Sequence, residues 1–130
     1  MTELDTLLTT WFQLDNLLDV RRDVETLASR CGLEDLRLYY FVVAVNEIMT
    51  NAIHHGGGEG SLRIAWLGEF FECEVVDQGP GFPPEQLAGA IKPAADTLSG
   101  RGLWLTRQLC DKVDIASDET GTRVTLVFRR

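Results

Sequence analysis

The sequence predicts an α+β fold, a two-layer α/β sandwich with helices on one face of a mostly antiparallel mixed sheet. Three observations carry that prediction. Apolar residues recur at helical spacing in two stretches, Leu17 to Leu27 and Leu38 to Ala52. Apolar and polar residues alternate from Ser61 to Asp77 with a break at Gly68-Glu69, the pattern of a hairpin. A second alternating pair, Val113 to Ala116 and Thr122 to Phe128, flanks a turn at Gly121. The chain has 130 residues, enough to bury a core, and no linker, repeat or low-complexity segment divides it, so residues 1–130 read as a single domain.

Taken in order, Thr9 to Leu14 reads as a short strand with Trp11 and Phe12 supplying bulk. Asp15 or Asn16 caps the helix that follows, and Asp19, Asp23 and Glu25 place negative charge in its early turns, where the helix dipole favours it. Leu17, Val20, Val24 and Leu27 form its stripe, and Gly32 ends it as a C′ glycine. A longer helix runs from Glu34 to His55, burying Leu38, Phe41, Val42, Val45, Ile48, Met49 and Ala52, and Gly56-Gly57-Gly58 stops it. Across the first hairpin Leu62, Ile64 and Trp66 share a face with Phe71, Cys73 and Val75. Beyond Asp77, Pro83-Pro84 opens a short helix through Leu87 to Ala90. Ile91 to Gly100 has no clear period and reads as a mobile loop. Arg101 to Asp111 is a third helix, with Leu103, Leu105 and Leu109 inward and Trp104 beside them.

Composition excludes several classes. A net charge of −8 argues against a nucleic-acid surface, which needs a basic stripe to neutralise phosphates. No apolar run is long enough to cross a bilayer, and the N-terminus, Met1-Thr2-Glu3-Leu4-Asp5, lacks the basic region of a signal peptide. A cytoplasmic protein without membrane contact is expected. Cys31, Cys73 and Cys110 form no C-x-x-C pair, so neither a disulfide framework nor a structural zinc site is expected. There is also no P-loop, so a nucleotide must be held another way.

Four blocks suggest how. Asp77-Gln78-Gly79-Pro80-Gly81 is a D-x-G-x-G turn directly after the apolar run from Phe70 to Val76. Upstream lies the segment from Asn46 to Gly56, and downstream lie Ser99-Gly100-Arg101-Gly102-Leu103 and then Gly121-Thr122. Singly, each has a plain alternative: a polar helix face, a solvated turn aspartate, a hinge before a helix. In this order within one small domain they describe a pocket for ATP. Glu47 and Asn51 share a helix face, with His55 a further turn along. An Asn amide oxygen suits Mg2+, which takes oxygen ligands, and a carboxylate one turn away is placed to receive a hydroxyl proton. Asp77 at a strand end can accept the exocyclic amine of adenine, and Gly79 and Gly81 let backbone approach a flat base closely. Gly100-Arg101-Gly102 opens a helix whose free N–H groups form an anion site, with Arg101 adding charge. His54 and His55 lack the companions a metal site needs.

The blocks resemble the N, G1 and G2 boxes of the GHKL superfamily, the Bergerat ATP-binding fold, over roughly Val42 to Leu109, with Gly121-Thr122 extending the likeness. Within it the chain is most similar to bacterial anti-sigma-factor serine kinases. A strand and helix precede the N-box helix, and the Glu47 to His54 block looks like that group's E-x-x-x-N-A-x-x-H. The resemblance implies ATP and Mg2+ as cofactors, with Glu47 as base and Asn51 on the metal. It implies that Asp77 reads adenine and that His54, Gly79, Gly81, Gly100, Arg101, Gly102, Leu103 and Thr122 shape the pocket and its lid. It also implies a homodimer that binds a sigma factor and phosphorylates a serine of a STAS-domain anti-anti-sigma protein. Two other readings stay open: a nucleotide-binding switch that regulates a partner by association without phosphotransfer, and an interaction domain without nucleotide. The second leaves the ordered blocks unexplained.

Overall fold

The computed structural model describes residues 5–80 and 105–129. Strand β1 (Asp5–Gln13) is followed by a 3-10 turn (Leu14–Asn16), helix α1 (Leu17–Arg30) and helix α2 (Asp35–His55). Strands β2 (Glu59–Leu67) and β3 (Phe70–Asp77) come next, residues 105–109 are helical, and β4 (Lys112–Asp118) and β5 (Gly121–Arg129) complete the described chain. The five strands form one sheet in the order β1-β2-β3-β5-β4. All four pairings are antiparallel, so the described sheet contains no parallel pair.

The local signals act largely as read. Helix α1 closes in a Schellman arrangement: Gly32 has φ +103°, its N–H donates to the Ser29 carbonyl, and the Leu33 N–H donates to that of Ala28. Asn16 stands at the N-cap of α1 without capping it. Its Oδ1 accepts the Gln13 N–H at 2.8 Å and its Nδ2 donates to the Trp11 carbonyl at 3.1 Å, which pins the corner between β1 and α1 instead. Several boundaries differ from expectation. Strand β1 starts earlier, because β2 offers it a partner from Asp5 onward, and it ends at Gln13, where the 3-10 turn takes Leu14. Asp111 is not helical, since its N–H donates to the Val127 carbonyl and begins the approach to β4.

One face of the sheet supplies the core. Alternation along β3 sends Phe71, Cys73, Val75 and Asp77 inward, in register with Val124, Leu126 and Phe128 of β5 and with Leu62, Ile64 and Trp66 of β2. The inward stripe of α2, Phe41, Val45, Ile48, Met49 and Ala52, packs on these residues, and Val20, Val24 and Ala28 of α1 join the same cluster. The Phe41 ring lies 5.5 Å from that of Phe71 and 5.3 Å from that of Phe128. None of the three cysteines is joined in a disulfide. Burial pushes the Cys73 thiol far up and that of Cys110 to about 12, so both stay protonated and behave as small apolar groups.

Candidate nucleotide site

The apolar row of β3 ends in a carboxylate. The strand's period of two places Asp77 on the inward face behind Val75, and only 7% of it is exposed. Its neighbour across the ladder is Thr122 of β5, also buried. Burial raises the Asp77 carboxyl above the ordinary carboxylate value, and backbone N–H groups of Gly79 and Thr122 pull it partly back. The Gly79 N–H donates to Asp77 Oδ1 at 3.0 Å. Thr122 Oγ1 lies 2.8 Å from Ser117 Oγ, which ties the far side of the corner to β4.

Three glycines pack at this corner. A Cβ on Gly121 would lie 2.2 Å from the Asp77 carbonyl oxygen, and its φ of +155° suits glycine as well. A Cβ on Gly79 would lie 2.4 Å from the Gly56 backbone, and one on Gly56 would reach Asp77 itself. The end of α2 therefore rests directly on the D-x-G turn.

That contact brings the helix face read from the sequence to the same place. Asn51 lies five residues before Gly56, about 7.5 Å along the axis, and Glu47 about 6 Å further. Asn51 is 9% exposed and its Nδ2 has no hydrogen-bond partner among the described residues. A buried amide donor without a partner is expensive, which makes this atom a candidate donor to a ligand oxygen. Glu47 is half-buried. His54 and His55 are exposed, their rings 6.4 Å apart. Counted from Glu47, the E-x-x-x-N-A-x-x-H spacing ends on His55, so His55 and not His54 occupies the motif position. Among the described residues no group of three His, Cys, Asp or Glu side chains is placed to hold a metal. An oxygen site completed by phosphates is a different chemistry, and Asn51 fits that one.

Cavities lie on both sides of the Asp77 corner. One of ≈ 260 Å³ runs between the end of α2, Trp11 and Gln78, and another of ≈ 940 Å³ lies against the β4–β5 turn. The structure thus joins Asp77, Gly79 and Thr122 at one corner, with Asn51 and Glu47 further back along the helix that ends there. Gly81, Gly100, Arg101, Gly102 and Leu103, the 91–99 segment, the short helix at 83–90 and Trp104 lie outside the described residues. Sequence reasoning missed Gly56 as part of the site, having read it only as a helix stop. It also missed the Ser117 partner of Thr122.

Residues 10–128 match the family model of the histidine kinase-like ATPase domain, and the chain belongs to that family. Among curated proteins it is 34% identical to the serine-protein kinase RsbW of Bacillus velezensis, covering 76% of this chain and 69% of that one. It is 31% identical to RsbW of Bacillus subtilis, covering 82% and 74%. Among solved structures, the RsbU and RsbW domains of Rv1364c from Mycobacterium tuberculosis share the fold with a TM-score of 0.66 at 19% identity, over 95% of this chain and 32% of that longer one. The catalytic domain of histidine kinase ThkA does so with a TM-score of 0.57 at 20% identity, over 95% and 96%. A domain of this family implies ATP binding. No helix among the described residues is long and apolar enough to cross a membrane.

Proposed function

We propose that this chain is an ATP-dependent protein-serine kinase that also binds a sigma factor, and that its substrate is a serine of a STAS-domain antagonist of that complex. The family and the two RsbW relatives support the kinase class. The observation that carries the site is the convergence of Asn51, with its unpartnered buried amide, and the buried Asp77 at the two ends of one helix contact.

In this reading Asp77 accepts the adenine amine, and Gly79 and Gly81 admit the flat base. Thr122 and Gly121 hold the Asp77 corner from β5. The Asn51 amide oxygen takes Mg2+ while its free Nδ2–H donates to a phosphate oxygen. The bound ion supplies neutralisation of phosphate charge. Glu47 accepts the proton of the substrate serine as its Oγ bonds to the γ-phosphorus. The bond from that phosphorus to the bridging oxygen breaks, and ADP leaves with the electron pair. Gly100, Arg101, Gly102 and Leu103 complete the phosphate side, His54 borders it, and residues 1–130 act as one domain of a cytoplasmic homodimer.

The test is transfer of label from γ-labelled ATP to serine of a STAS-domain protein of the same genome, together with nucleotide-dependent binding of a sigma factor. Tight ATP binding without transfer to any such protein would instead favour a switch that acts by association alone.

A further inference from the structure

Gly56 ends α2, yet its backbone does not call for glycine. Its φ of −111° and ψ of 28° are open to any residue, so the left-handed turn that ordinarily explains a glycine after a helix is not the reason here. What the position excludes is a side chain. A Cβ on Gly56 would lie 2.3 Å from Asp77 Cγ, 2.4 Å from Asp77 Oδ2 and 2.7 Å from the Ala52 carbonyl oxygen. The contact is reciprocal, since a Cβ on Gly79 would lie 2.4 Å from Gly56 Cα and from its carbonyl carbon. Oδ1 of the carboxylate accepts the Gly79 N–H at 3.0 Å, the Thr122 N–H also reaches the carboxylate, and Oδ2 lies against the bare end of α2.

We propose that Gly56 is a positioning residue for Asp77, setting the direction of its carboxylate and, through it, the preference for a base with a 6-amino group over one with a 6-oxo group. This rests on the reading of Asp77 as the adenine acceptor. The same contact fixes the end of the helix that carries Asn51 and Glu47, so it also sets the distance between the base end and the phosphate end of the site. Any side chain at position 56 must turn the Asp77 carboxylate or lift α2 from the D-x-G turn. A turned carboxylate loses its alignment with an amine and leaves the contacts to ribose and phosphates that ITP shares with ATP, whereas a lifted helix would weaken both nucleotides.

The experiment compares ATP and ITP binding by calorimetry in wild type, Gly56→Ala, Asp77→Asn and the double variant. Wild type should prefer ATP by about tenfold or more, and Gly56→Ala should lose roughly tenfold in ATP affinity but less than about twofold in ITP affinity. In the Asp77→Asn background, Gly56→Ala should cost no further ATP affinity. Equal losses for the two nucleotides would overturn the proposal, because a merely structural defect does not read the base. A wild type without preference would overturn the adenine reading together with it, whereas a preference kept intact by Gly56→Ala would overturn the positioning role alone. If Gly56→Ala does not fold, thermal melting of Gly56→Ala/Asp77→Ala decides. Recovery to within about 2 °C of Asp77→Ala supports the contact, and a double variant as unstable as Gly56→Ala overturns it.

Discussion

Replacing Asp77 by Asn keeps the shape of the side chain and removes its charge, with two consequences of opposite sign. Without nucleotide the ionised carboxylate is a cost. Burial raises its carboxyl above the ordinary value, so the folded protein holds that proton more tightly than the unfolded chain does. Well below the ordinary carboxylate value both states are protonated and the cost is absent. As pH rises between that value and the raised folded one, the folded state loses stability, and the cost persists in full above it. The N–H groups of Gly79 and Thr122 reduce the cost without reversing it. Asn keeps an acceptor for Gly79 and carries no charge to desolvate. Apo Asp77→Asn should therefore melt above wild type near neutral pH, with the gap closing as pH falls toward the ordinary carboxylate range. With ATP the order reverses. A hydrogen bond to a charged group contributes about 1.5–3 kcal/mol, so affinity should fall tenfold to about a hundredfold. Melting curves across pH, with and without ATP and Mg2+, and calorimetric binding measure both. A variant that melts below wild type at neutrality refutes the burial account, and unchanged ATP affinity refutes the adenine account.

Glu47→Gln should keep ATP binding and lower phosphoryl transfer by roughly 10²–10⁴ in a labelled-ATP assay, as removal of a general base does; equal loss of binding would make Glu47 a structural residue. Asn51→Ala should remove the Mg2+ dependence of ATP affinity, read by titrating the metal in the binding assay. Phe41→Ala removes the ring that meets Phe71 and Phe128 and should cost about 3–5 kcal/mol in urea unfolding. Thr122→Val loses the Ser117 hydrogen bond at a buried position and should cost roughly 1 kcal/mol by the same measurement.

What the sequence disclosed was local. The Gly32 stop, the apolar stripe of α2 and the 61–77 hairpin each depend on neighbours a few residues away, and all three are present. The full length of β1 was not legible because Asp5 and Thr6 are held by Trp66 and Ala65, far along the chain. Nor was the place of β5 between β3 and β4, which only the packed sheet determines. At the site, Asp77, Asn51 and Glu47 were legible as candidates because Asn46 and Glu47 interrupt an apolar stretch and Asp77 opens a D-x-G-x-G turn after one. Gly56 was overlooked because a glycine after a helix already has a sufficient local explanation. Only the position of Asp77 against it reveals the other one.

The pairing of Asp77 with Thr122 also bears on when the site comes into being during synthesis. The ribosome releases Asp77, Asn51 and Glu47 together with α2, β2 and β3, long before it reaches the strand that closes the corner. In a nascent chain that has reached only Asp118, β3 has an unpaired edge and β4 has no strand to join, because it meets the sheet through β5 alone. ATP stabilises only a state that binds it, so the nucleotide cannot hold such an intermediate together and acts on the finished sheet. Folding of the last hairpin is then the event that licenses occupancy, and a fragment ending at residue 118 should bind no ATP in a filter assay; binding by that fragment would uncouple the site from β5.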